Sequence, residues 1–104
     1  MSTGHTDNQE GLLEEIKEKS TEPPMYKVLL HNDDYTTKAF VVEILTAVFN
    51  KSIEEATRLM WHIHRNGVGV CGIYPYELAE TKINIATKFA RENGFPLKTT
   101  MEKE

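Results

Sequence analysis

A single cysteine, Cys71, stands in this 104-residue sequence, which excludes an internal disulfide framework and suits a reducing compartment. Long apolar runs are missing as well, so no segment reads as a membrane span. The opening MSTGHTDNQE is polar and acidic and lacks the apolar centre of a signal peptide, so a cytoplasmic protein with no membrane partner is expected. Surplus positive charge is absent too. Residues 1–24 hold six acids against two lysines, and residues 25–104 balance ten acids with ten bases, which places the whole formal charge of −4 in the first segment. Without a basic stripe to displace phosphate counterions, no nucleic-acid partner is expected. Aromatic residues are also absent before the Pro23-Pro24 pair. So apolar-poor a segment cannot offset its ordering entropy, and a disordered acidic arm is expected over 1–24, followed by one folded domain over 25–104.

From Met25 the patterning changes. MYKVLLH alternates Tyr26, Val28 and Leu30 against Lys27 and His31, which predicts a strand. Thr36 or Thr37 can cap a helix running to about Phe49, with Phe40, Val41, Ile44, Leu45, Val48 and Phe49 at helical spacing. Ser52 is a good cap for a second helix that buries Ile53, Ala56, Leu59, Met60 and Ile63 and stops at Asn66-Gly67. VGVCGIY reads as a glycine-containing strand against which a helix can pack closely. Pro75 suits the first position of a third helix, whose inner face takes Leu78, Ala79, Ile83, Ala86, Phe89 and Ala90 and which Asn93-Gly94 stops. LKTTMEK alternates again as a last strand. The order strand, helix, helix, strand, helix, strand predicts an α+β fold in which three helices pack on a small three-stranded antiparallel sheet.

The chemistry concentrates in LLHNDDYTT, residues 29–37, where two aspartates adjoin. A calcium loop counted from Asn32 has Thr37 where the sharp turn requires glycine. A zinc site built on His62, His64 and Cys71 fails because residues two apart on a helix point in nearly opposite directions. Cys71 lies between glycines with no charged neighbour to lower its pKa, so it reads as packing rather than nucleophile. No metal, cofactor or catalytic group is therefore expected, and the protein is not expected to be an enzyme. Two readings of the Asn32–Asp34 run remain on chemistry alone. It can be a turn leading into a capped helix, the commoner use of such residues. It can also receive an ammonium, whose three donors Asn32, an aspartate and a neutral histidine nitrogen can accept.

MYKVLLHNDDYTTKAFVVEIL, EEATRLMWHIHRNGVGVCGIY and ELAETKINIATKFARENGFPLKTTMEK together resemble the ClpS adaptors of bacterial Clp proteases over residues 25–103. NDDYT, the HxxG of His64 to Gly67, AETK and AREN…PL stand in that family's order and spacing. The resemblance implies an adaptor that recognises N-degrons, the destabilising residues at protein N-termini, and delivers their bearers to the ClpAP protease. It assigns the substrate's free α-amino group to Asn32, Asp33 and His64, with Asp34 flanking them. It places Thr36, Val41, Met60, Ile63 and Leu97 in or around the cavity for a first residue of Leu, Phe, Tyr or Trp. Glu77 and Lys82 match positions that dock the ClpA N-terminal domain, and the acidic arm becomes the segment the ClpA motor engages. A monomer is expected. Lys38 departs from the family, which commonly has a methionine at the cavity mouth to exclude β-branched first residues. Lysine's stem can supply that bulk, or the exclusion of Ile and Val is relaxed. A second class is an interaction module with the related fold of the ribosomal stalk protein's C-terminal domain and no N-degron activity.

Overall fold

The computed structural model of the chain describes residues 23–104, so the expected acidic arm, apart from its closing prolines, lies outside the described residues. Six elements follow in order: β1 (Met25–His31), α1 (Lys38–Ala47), α2 (Ile53–Asn66), β2 (Val68–Pro75), α3 (Tyr76–Glu92) and β3 (Lys98–Lys103). The strands form one antiparallel sheet in the order β2-β1-β3. The α+β architecture is the one the alternation and helical spacing predict.

β1 lies in the centre because its alternating side chains have a core to face. Val28 and Leu30 are fully buried there. Leu30 is opposite Gly69 on one side and Thr99 on the other. Gly69 sets how closely α2 approaches the sheet: a Cβ at that position would stand 2.7 Å from the Ile63 Cγ1. Any side chain there forces Ile63 or the helix carrying it to shift, so glycine is favoured by space rather than by backbone angle. Phe40 packs against Phe89 and Phe95 with ring centroids 5.2 and 4.7 Å apart, tying α1 to α3 and to the segment after it.

Each helix start has a local cause. The Thr37 Oγ1 accepts from the Phe40 N–H at 3.1 Å and begins α1, which decides between the two candidate threonines. Ser52 and Glu55 form a reciprocal capping box at the start of α2. Gly67 closes α2 in the left-handed region at φ 88°, a conformation costly for a residue with a Cβ. Some boundaries and faces differ from expectation. Pro75 ends β2 and precedes α3 rather than opening it. α1 stops at Ala47, although Val48 and Phe49 remain buried in the turn beyond. Ile53 and Leu78 are 67% and 46% exposed, because each sits in the first turn of its helix, before the helix settles onto the core.

Candidate functional site

The site is built where β1 runs out. The Asn32 N–H donates to the Gly67 carbonyl at 2.8 Å, which stitches the start of the loop to the C-terminal cap of α2. That bond brings Asn32 beside the last turn of α2, where His64 stands. The loop then folds around one carboxylate. The Asp33 Oδ1 accepts from the Tyr35 N–H at 2.8 Å and from the Thr36 N–H at 2.7 Å, and its Oδ2 accepts from the Thr36 hydroxyl at 2.7 Å. Burial is the largest single influence on Asp33 and opposes ionisation. The bonds from Thr36 and Tyr35, aided by the Arg91 charge, together outweigh it and hold the carboxyl below its usual range. Asp34, next along, is exposed and makes no side-chain hydrogen bond to the other described residues.

Between this loop and α2 lies a cleft of about 460 Å³. Its polar lining includes Asn32, Asp33, Asp34, Thr36, Lys38 and His64, and Val41, Met60 and Ile63 supply its apolar lining. Val41 and Met60 are each 6% exposed and Ile63 is 1% exposed, so the apolar end is continuous with the core. His64 follows Met60 by one helical turn, which puts a ring nitrogen and an apolar wall on one face of α2. Since an apolar cavity of about 150 Å³ accepts benzene, the cleft has room for one large side chain and the backbone that carries it. Hydrogen-bond acceptors and apolar walls in one cleft suit a ligand that joins a cationic group to an apolar one.

The expected cleft residues Asn32, Asp33, Asp34, Thr36, Lys38, Val41, Met60, Ile63 and His64 all meet in this cleft. Leu97 does not: it is 1% exposed within the core cluster and is not among the lining residues. Glu77 and Lys82 are on α3. Glu77 is exposed, whereas Lys82 is half-buried and donates from its Nζ to the Val48 carbonyl at 2.6 Å, over the Tyr74 ring. That lysine satisfies a carbonyl left open at the end of α1, so it has a structural duty besides any docking one. Tyr35 and Thr37 also line the cleft, which the sequence reading missed although both belong to the same loop. Equally unforeseen is the contact of Lys38 and Arg65 with the Trp61 ring, both at 5.6 Å from its centroid. Burial pushes the Cys71 thiol up to about 12, so it is protonated at neutral pH. Among the described residues no three His, Cys, Asp or Glu side chains converge as metal ligands, and no helix is long and apolar enough to cross a membrane.

Comparisons with known proteins converge on one family. The family model described as the ATP-dependent Clp protease adaptor protein ClpS matches residues 21–100. A ClpS adapter protein of Desulforapulum autotrophicum is 58% identical over 89 residues, covering 86% of this chain and 86% of that one. One from Clostridium acetobutylicum is 55% identical over 85 residues, covering 82% of this chain and 84% of that one. Among solved structures, ClpS2 of Agrobacterium tumefaciens bound to L-phenylalaninamide superposes with a TM-score of 0.77 at 44% identity, covering 80% of this chain and 100% of that one.

Proposed function

Because the chain belongs to the ClpS family of ATP-dependent Clp protease adaptors, we propose that its cleft captures the free N-terminus of proteins beginning with Leu, Phe, Tyr or Trp and presents them to the ClpA unfoldase. One observation carries this reading: a set of acceptors and an apolar end share a single cleft. The L-phenylalaninamide bound by the Agrobacterium ClpS2 joins a free α-amine to an apolar ring, the two features the cleft is suited to receive.

In this reading Val41, Met60 and Ile63 enclose the first side chain, and the flexible thioether of Met60 accommodates both flat rings and leucine. Asn32 and His64 accept from the α-ammonium. The two aspartates divide the remaining work. Both oxygens of Asp33 already receive donors from its own loop, which favours Asp34 as the nearer anionic contact and Asp33 as the residue that holds the cradle in shape. This reverses the roles first expected of the pair. Glu77 and Lys82 form the docking surface for ClpA, and the segment over 1–24 is the arm its motor engages. The adaptor itself is a cytoplasmic, non-catalytic monomer that requires no cofactor.

The test is fluorescence anisotropy with peptides differing only at residue one, each with a free or acetylated terminus. Acetylation removes the charge and two of the three donors, so the charge-assisted bonds to the acceptors are lost, at about 1.5–3 kcal/mol or roughly a 10- to 150-fold loss. Free Leu and Phe peptides should bind at least about tenfold tighter than acetylated or Gly-initiated ones. Equal binding of the four would refute the reading. An Ile-initiated peptide in the same series shows whether Lys38 excludes β-branched residues. Delivery is separable: deleting residues 1–20 should spare peptide binding and stop degradation of a Leu-initiated substrate by ClpAP.

A further inference from the structure

Lys38 is the first residue of α1, ahead of a first turn with no acidic side chain. A cation there opposes the helix dipole, so the energetics of α1 do not favour it. Its ammonium lies 5.6 Å from the Trp61 ring centroid, and the Arg65 guanidinium lies 5.6 Å from the same ring. Trp61 is 39% exposed and meets the His64 ring edge-on at 5.8 Å. Lys38 and His64 both line the cleft. One indole therefore gathers two cations at the border of a cleft whose loop side is acidic. An aromatic face positions a cation without neutralising it, so both charges remain available to an anion.

We propose that Lys38, held on Trp61 and reinforced by Arg65, is a specificity-determining residue that favours substrates with an acidic second residue; this rests on the reading of the cleft as a receptor for a free N-terminus. Successive side chains of an extended chain point to opposite sides. With the first side chain in the cavity and the amine at Asn32 and His64, the second leaves the cavity and lies over its border. Successive Cα atoms are only about 3.8 Å apart, which keeps that second side chain within reach of the border cations. A carboxylate there gains a charge-assisted bond with Lys38 and attraction from Arg65. Asp33 and Asp34 oppose it from the loop side, with the Arg91 charge offsetting a little of Asp33. The direct bond to Lys38, added to the Arg65 attraction, outweighs that repulsion and gives a net preference for acid.

The experiment compares free-terminus peptides beginning Leu-Glu, Leu-Ala and Leu-Lys, otherwise identical, on the wild-type chain, Lys38→Met and Lys38→Arg. The readout is the ratio of affinities within each protein. Wild type should bind Leu-Glu about threefold tighter than Leu-Ala, the scale of an exposed ion pair, with Leu-Lys weakest. The preference should shrink as salt rises from about 0.05 M to about 0.5 M. Lys38→Met should bring the Leu-Glu to Leu-Ala ratio to one or below, and Lys38→Arg should keep it above one. A wild-type ratio of one or less overturns the proposal, as does a ratio that survives in Lys38→Met. An acetylated Leu-Ala control separates the two readings. If free Leu-Ala outbinds it while the Glu preference is missing, Lys38 has lost its role and the cleft has kept its function; if it does not, the cleft reading itself fails.

Discussion

Two loops of this small domain are each held by one charged side chain folded onto its own backbone, and they are used differently. In the loop after β1, Asp33 accepts from Tyr35 and Thr36. In the loop after α3, the Arg91 guanidinium donates to the carbonyls of Phe95 and Leu97, both at 2.9 Å. The two are coupled electrostatically, since the Arg91 charge favours ionised Asp33. Tyr35 and Arg91 also share a second hollow with Gly94, Phe95 and Pro96. Yet the first loop leaves Asn32 and Asp34 exposed beside a cleft, whereas the second has its Arg91 donors tied to its own carbonyls and seats Leu97 in the core. A charge engaged by its own backbone builds a loop, and the charge beside it, not so engaged, stays exposed at the cleft.

The largest effect should come from removing the residue that shapes the first loop. Asp33→Ala deletes three charge-assisted hydrogen bonds in a partly exposed setting, and about 2 kcal/mol of stability should go with them. In a domain of this size that corresponds to a fall in Tm of roughly 10 °C, read by thermal denaturation. Asp33→Asn keeps an acceptor for the two N–H groups and should recover most of the loss. If Asp33→Ala melts like wild type, the two loops are not alike. Next comes the neighbour. Asp34→Ala should leave Tm within about 2 °C, yet weaken a free Leu-initiated peptide about tenfold by anisotropy, the scale of one charge-assisted contact. A drop in Tm with unchanged affinity would exchange the two roles.

This division was not legible in the sequence, although much around it was. Ser52 with Glu55, Gly67 and the alternation of β1 state their structure locally, because caps and strand faces depend on residues within three or four positions. The pairing of Met60 with His64 was equally readable, since one turn of helix fixes it. Asp33 and Asp34 are chemically identical, and only the path of the loop decides which carboxylate faces the N–H groups behind it. Leu97, which the resemblance sets in or around the cavity, is a core residue outside the cleft lining, and no local pattern marks that depth. Lys38 and Trp61 are far apart in sequence, and no periodicity within either helix predicts that they touch. Ile53 and Leu78 carried the helical spacing of buried residues but fall in first turns that project past the core.

Removing the second loop's charge should do less. Arg91→Ala frees the carbonyls of Phe95 and Leu97, of which the Leu97 bond is partly buried, for a loss of about 1 kcal/mol or roughly 5 °C in Tm. Peptide affinity should move less than about twofold, because the Asp33 bonds remain and the Arg91 contribution is the weakest of those acting on it. A tenfold loss of binding would mean that the two loops work as one site.

The smallest effect is that of pH on Asp33. Its folded pKa lies below the unfolded one, so unfolding takes up a proton between the two values. The unfolded state then binds more protons, and stability rises with pH across that window. The contribution is complete above the ordinary aspartate value of about 3.9 and is lost as pH falls through the folded value. It should be a fraction of what Asp33→Ala costs, for two reasons. Burial works against the hydrogen bonds and leaves only their difference as a shift, and a protonated Asp33 can still accept from the Thr36 and Tyr35 N–H groups. Glu55, held low by its Ser52 bonds at the exposed start of α2, acts in the same direction, so wild type alone cannot separate them. Urea denaturation of wild type and Asp33→Asn between about pH 6 and about pH 2.5 does. Wild type should lose more stability on acidification than Asp33→Asn, and parallel curves would show that the Asp33 charge contributes nothing beyond what a neutral acceptor supplies.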